Sequence, residues 1–585
     1  MKIFKTYILS SLIFLSFLDA FAQKKDENIG SEVVNIVKPY TPSISDAFKI
    51  KEVPSFEDDE SLEKKPINYN IFSFPVASTF VPAKGKAADA DKKEKEKYFA
   101  NYATLAGGNY GTINAELFLT HNIDRTSYIG ALLRHVSTQG GIKNLDLDDK
   151  FYNTSADVTY GVREKEYNWN VDLGFKNQIL NWYGLPTDNI FYSDASINTI
   201  DEAQTYNTIS LGGRFALDNS IFKQASLQFI RFSDAFSSGE NRVVAKPEIA
   251  IDVMEQNIQI PFLLDYVAGK FETDYTNTSE IQYSTAIAAA RPSINFIKDK
   301  FSAQIGAGIY YGASTLNNAD NNKVFIYPDV NFSYNLMSDA LIGYAGANGS
   351  LQQNTYQNLT TQNLFVSPTL LISPTDNKYN FYAGLKGKLS SNVGFNIKGA
   401  FSQDEGKPLF ISQPFYLSNT NTNGYAFANS FNVVYDNVKT ISLTGEIKAD
   451  FSKNISAALN ATFNSFTTEI EEEAWNLPQF LITTSVDADI TPKWYAGFQV
   501  FFVGERKDFI SIQDDVFINP GTFSQKTITL DSYLDANAHL AYKYNNRLTA
   551  FLKGNNLANQ QYTKWANYPV QGIQVLLGAS YKFDF

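Results

Sequence analysis

The final stretch of the chain, Gly572 to Phe585, alternates without a break. Ile573, Val575, Leu577, Ala579, Tyr581, Phe583 and Phe585 are apolar, and Gln574, Leu576, Gly578, Ser580, Lys582 and Asp584 between them are mostly small or polar. Successive side chains of a β-strand point to opposite faces, so this spacing makes one greasy face and one wet face. The greasy face carries aromatics to the last residue. Such a strand needs partners that share its two surfaces, and that requirement constrains everything upstream.

The same period of two recurs from Tyr98 onward. Trp169, Val171, Leu173 and Phe175 alternate with Asn168, Asn170, Asp172 and Lys176; Val393, Phe395, Ile397 and Phe401 alternate with Asn396, Lys398 and Ser402. Ile441, Leu443, Ile447 and Phe451 interleave with Thr444, Glu446, Lys448 and Asp450. Phe480, Ile482, Val486 and Ile490 do so with Thr483, Ser485, Asp487 and Asp489, and Leu534 to Tyr542 with Asp535, Asn537, His539 and Lys543. Charges on the second face of so many strands require water there. An all-β chain that forms a transmembrane antiparallel up-and-down β-barrel, with lipid outside and water inside, satisfies every one of these strands together.

Composition agrees. Aromatic residues are 15% of the chain (46 Phe, 34 Tyr, 5 Trp), as the girdles of a membrane barrel require. Beyond the first twenty residues no apolar run is long enough for a membrane helix. A net charge of −12 argues against a nucleic-acid partner. There is no cysteine, hence no disulfide framework and no lipid-anchored amino terminus. His121, His135 and His539 lack metal-ligand spacing.

Residues 1–22 read as a secretory signal: Lys2 and Lys5, the apolar core Ile8 to Leu18, then Ala20-Phe21-Ala22 before the cut. Residues 23–97 are rich in proline and in runs of charge, such as Glu57-Asp58-Asp59-Glu60, and read as an extended segment that lies in the periplasm or enters the lumen. Two apolar islands interrupt it. Val33, Val34, Ile36 and Val37 form one, Phe72 and Phe74 the other, and both are candidate docking points for a partner.

Residues 98–585 form the barrel. Short turn-like connections (Glu164 to Glu166, Ser390 to Asn392, Ser452 to Asn454, Thr491 to Lys493, Asn545 to Arg547) alternate with long polar ones (Pro186 to Gln204, Asn354 to Asn363, Gln413 to Tyr425, Glu469 to Asn476, Arg506 to Lys526, Leu557 to Gln571). Turns on the periplasmic side and loops outside give this alternation. Counting hairpins gives about 22 strands, with 20 as the alternative, and an even number places both ends in the periplasm.

Asn555-Asn556-Leu557-Ala558-Asn559-Gln560-Gln561-Tyr562, then Gly572-Ile573 and Leu577 to Phe583, is similar to the last two strands of TonB-dependent outer-membrane receptors. Val503 to Arg506 and Leu534 to Asn537 resemble that family's closing hairpins. The resemblance implies a 22-stranded barrel whose closing strand, carrying Ile573, Val575, Leu577, Tyr581, Phe583 and Phe585, is handled by the barrel assembly machinery. It also implies an amino-terminal plug of well over a hundred residues behind a TonB box. This chain departs from that pattern: residues 23–97 do not read as a folded domain, and Val33 to Val37 matches a TonB box poorly.

Other motifs weigh little. Gly306-x-Gly308 lies in an alternating strand rather than at a strand-to-helix turn, which argues against a phosphate cradle and for small residues that give room inside the barrel. His135 beside Ser137 lacks an acid at readable spacing, so the pair reads as rim residues and not as a hydrolase. The acidic stretches Asn144 to Asp149 and Glu469 to Glu473 lack the pattern of a calcium loop. No cofactor or catalytic constellation is expected, and the chain is read as a non-enzyme. The missing plug and the docking-like tail favour a scaffold in an envelope complex, with periplasmic or surface lipoproteins as partners. The alternative is a transport channel or receptor for nutrient uptake, gated by its tail, its loops or a partner.

Overall fold

A computed structural model of the protein describes residues 98–585 apart from 189, 219, 254–255, 338–339, 416–422 and 514–522. The signal segment and the islands at Val33 to Val37 and Phe72 to Phe74 lie outside the described residues. Among the described residues twenty-three strand segments join one antiparallel sheet, and the first segment, Asn101–Gly108, pairs with the last, Gln574–Phe583. The sheet is therefore a closed ring. Ile281–Ala290 and Ser293–Lys298 pair with the same two neighbours, Gln256–Phe271 and Phe301–Leu316. They are one wall strand, interrupted where Pro292 has no N–H to offer the ladder. The wall thus has 22 strands, the larger of the two numbers read from the sequence.

Register carries the alternation around the ring. Phe175 lies opposite Ile209, Phe401 opposite Ile441, Ile482 opposite Phe502 and Leu552 opposite Leu577, so apolar residues share one face. That face is the surface of the protein: Leu577 is 68% exposed and Leu443 55%. Large apolar side chains in an unbroken exposed band require a bilayer around them. Asp172, Lys398 and Asp487 fall on the opposite face, which lines the lumen. There Arg134 Nε donates to Glu116 Oε2 at 3.1 Å, Arg242 grips Asp265 through two nitrogens at 2.8 and 2.5 Å, and Ser442 donates to Asn464 at 2.6 Å.

The seam is tight. Leu105 opposes Ala579, and Thr104 Oγ1 donates to Ser580 Oγ at 3.0 Å inside the ring. A Cβ on Gly578 would stand 2.6 Å from Ala106 Cβ and 2.7 Å from the Leu105 carbonyl oxygen, so only glycine lets the two end strands meet here.

One end of the cylinder has short turns, as between Arg163 and Tyr167 or between Ser452 and Ile455, and both termini of the wall. The other end carries the long connections. The segment read as one long loop from Arg506 to Lys526 contains a hairpin, Arg506–Gln513 with Phe523–Leu530, that pairs outside the wall. Ile510 and Ile512, β-branched residues two apart on one face of its first strand, stabilise it as strand once Ile510 is buried.

Candidate functional site: a lid of loops across the barrel mouth

A ring of 22 strands encloses a lumen too wide for its own wall side chains to fill. At the loop end that space is occupied. Residues from the long connections and from the loop ends of wall strands form one buried apolar cluster, including Trp182, Tyr206, Phe232, Phe271, Tyr356, Leu359, Val366, Leu370, Tyr425, Phe431 and Tyr568. Trp182, Tyr356 and Tyr425 have no exposed surface. Burying so much aromatic area gives the loops a dry core of their own, and side chains of this size supply roughly 1.5–3 kcal/mol each on burial.

The partners come from around the whole ring. Trp182 follows the fifth wall strand, Tyr167–Asn181, and its carbonyl accepts from Asn429 Nδ2 at 2.9 Å. Asn429 precedes the sixteenth, Phe431–Ser452, so ten wall strands lie between the two one way round and twelve the other. Tyr568, from the connection before the final strand, donates its hydroxyl to the Asn429 carbonyl. Phe365, from the connection between Leu341–Gln352 and Thr375–Ser390, stacks on Tyr568 with centroids 3.7 Å apart, and Tyr183 meets the same ring edge-on at 4.9 Å. Tyr206 donates to the Leu364 carbonyl at 3.1 Å. Loops from opposite sides of the mouth therefore share one core.

Its anchor is a short helix, Tyr356–Gln362, begun by Thr355, whose hydroxyl accepts from Asn358 N at 3.0 Å. The first two helical N–H groups, Tyr356 and Gln357, donate at 2.8 and 3.0 Å to the carboxylate of Glu240 on the strand Gly239–Val253. Tyr283 adds a third hydrogen bond at 2.7 Å. A negative side chain is favoured at a helix start, and this one, 2% exposed, pins the helix to a wall five strands away. The Tyr356 hydroxyl donates to Asp234 Oδ2 at 2.9 Å, and burial raises the Asp234 carboxyl to about 6 against the hydrogen bonds it accepts.

A second clamp joins the hairpin to the connection before the last strand. Arg506 donates to the carbonyls of Thr563 and Lys564 at 2.9 and 2.5 Å, and its guanidinium lies 5.3 Å from the Tyr533 ring. Asp508 accepts from Phe509 N at 2.8 Å and Ala566 N at 3.2 Å, and complete burial pushes its carboxyl up to about 7.

The residues singled out by sequence are not gathered at this lid. His121 and His135 sit on the outer face at opposite ends of their hairpin, and His539 lies in the lumen against Gly497. His135 bonds Ser137 at 3.1 Å and Thr154 at 2.8 Å, with no carboxylate between. In the acidic stretch near Asn144, Asp149 accepts the N–H groups of Gly141 and Ile142, and Asp148 pairs with Lys150 at 2.5 Å. The N–H groups of Glu469, Ile470 and Glu471 turn to Asp436, so that loop binds a side chain of its own protein. Among the described residues no group of three or more acidic, histidine or cysteine side chains is arranged to hold a metal. Glu240, Trp182, Tyr356, Asp508 and Tyr568 were not foreseen. The available signal was aromatic: Trp182-Tyr183, Tyr356, Phe365, Tyr425 and Trp565 fall in connections whose length and polar residues mark them as solvent loops.

No protein-family model and no curated protein matches the sequence. Solved structures do match in fold. The ferripyoverdine receptor of the outer membrane of Pseudomonas aeruginosa aligns with TM-score 0.61 at 11% identity, over 84% of this chain and 72% of that one. The FrpB iron transporter from Neisseria meningitidis gives 0.61 at 9% identity, covering 84% and 82%. The siderophore receptor PirA from Acinetobacter baumannii gives 0.61 at 12% identity, covering 83% and 80%. In fold, the chain is a closed 22-strand barrel of the kind that TonB-dependent outer-membrane receptors build.

Proposed function

We propose that the protein is an outer-membrane transport barrel whose outer mouth is shut by its own loops and opens to admit a solute. The observation that carries this reading is the shared core of Trp182, Phe365, Tyr425 and Tyr568, which spans the mouth between loops on opposite sides of the ring. Solved barrels of this fold are named as receptors and transporters, which supports transport over the scaffold role favoured by the sequence. The scaffold reading drew its weight from residues 23–97, which lie outside the described residues. In the proposal residues 23–97 are a tail that helps to gate the channel. The closing strand Ile573 to Phe585 is the element the assembly machinery handles during insertion.

Planar-bilayer conductance tests this. The intact chain is expected to conduct little. Trp182→Ala with Tyr568→Ala, each a loss of about 3–5 kcal/mol of packing, raises conductance, and deletion of residues 23–97 raises it further. If the doubly opened and tail-deleted protein stays as silent as the intact one, transport fails. Co-purification of other envelope proteins at fixed ratio would then restore the scaffold. Crosslinking of Val33 to Val37 to TonB tests whether uptake is energised.

A further inference from the structure

Between the lid and the inner wall, beside the seam, lies a cleft of about 340 Å³ that the lid's architecture does not use. Leu180, Val136 and the rings of Tyr183 and Phe365 supply its apolar sides. Its polar side contains a loose end. Thr112 follows a single helical turn, Asn109–Gly111, and precedes the strand Ile113–Asn122; it is 8% exposed, yet its hydroxyl has no hydrogen-bond partner. A buried hydroxyl without a partner costs about 1–3 kcal/mol, a cost that a bound molecule removes.

The remaining polar groups define the chemistry. Asn181 spends its side-chain N–H groups on the Asp148 carbonyl at 2.8 Å and on Glu202 at 3.5 Å, which leaves its side-chain oxygen as an acceptor. Asp149 accepts two backbone N–H groups and retains further lone pairs. Lys150 of the same lining is taken up by Asp148 at 2.5 Å, so the Asp149 carboxylate keeps its charge as an acceptor toward the cleft. The cleft is thus rich in acceptors, one of them a carboxylate, with one hydroxyl that can give or take, and faced on one side by aromatic rings. Anionic ligands meet acceptors there, and purely apolar ones leave the acceptors dry. A neutral ring bearing several hydroxyls on one side and C–H groups on another satisfies both walls. The volume equals that of about eleven waters, which suits a ring compound of roughly a dozen non-hydrogen atoms and falls in the range of small-molecule sites.

We propose that this cleft binds one neutral hexose-like sugar ring, either free or as the terminal unit of a glycan. The inference deepens the transport reading by naming the class of solute, and binding is measured independently of transport. The full chain in detergent is titrated with methyl glycosides of several hexoses and with a linear oligosaccharide, read by saturation-transfer NMR and calorimetry. At least one probe binds. Thr112→Val, which keeps the shape and removes the hydroxyl, weakens it roughly three- to tenfold, and Val136→Trp, which fills the cleft, abolishes it. The unheated gel mobility of each variant reports an intact barrel. A methyl glycoside that binds identifies a free sugar, and binding by the oligosaccharide alone identifies a glycan end. Failure of every probe, or binding unchanged in Val136→Trp, overturns the proposal and leaves the conductance result untouched.

Discussion

Two carboxyl groups in the lid bind a proton more readily in the closed lid than in an opened one. Asp508 rises from an ordinary 3.8 to about 7 and Asp234 to about 6, both chiefly by burial. A carboxyl whose value is raised in the closed state contributes most below its free value. Its contribution falls as pH rises toward the raised value and is level above it. Closure is therefore firmest near pH 4, weakens between pH 4 and 7, and changes little beyond. Open probability in bilayers is expected to climb from pH 5 to pH 8, and Asp508→Asn, uncharged throughout, flattens the upper part of that rise. Glu240 acts differently, as the acceptor of three hydrogen bonds. Glu240→Ala leaves those donors dry and costs the lid on the order of 3 kcal/mol, seen as faster hydrogen exchange across Tyr356–Gln362 while the wall stays protected. Neither role was legible beforehand. Glu240 shares the lumen face with Arg242 like any other lumen residue, and only the helix brought against it from five strands away makes it an anchor.

Among the elements, the strands were the legible part, because a wall strand has two fixed environments and the side chains must sort between them. Phe395, Ile482 and Leu577 could be placed from spacing alone, and their cross-strand partners Ile447, Phe502 and Leu552 agree. The connections were not legible for the opposite reason. A loop that buries an aromatic does so against loops distant in sequence, as Tyr183 does against Tyr568, and no period marks it. The hairpin Arg506–Gln513 with Phe523–Leu530 was hidden in the same way. At the seam, Gly578→Val is expected to keep the end strands apart, since the added atoms meet Ala106 and the Leu105 carbonyl. The variant loses its heat-modifiable gel shift. Leu577→Arg, one residue along on the bilayer side, tests the wall itself and costs about 2–4 kcal/mol if it sits near the membrane midplane.

For the whole molecule, the container could be derived and its closure could not. Periodicity settles which surface meets lipid; it is silent on what crosses a lumen. A loop rich in Asn, Thr and Gly hides Trp182 or Tyr425 in its composition. The lid's partners also set an order of events. The Trp182–Asn429 bond joins loops ten strands apart, and the Tyr568–Asn429 bond needs the connection that leads into the final strand. Neither geometry exists in a half-rolled sheet. The cylinder must consequently be zipped shut before its cover can set, so a newborn barrel passes through a stage with an unguarded bore, and whatever seals the membrane during that interval has to come from somewhere other than these loops.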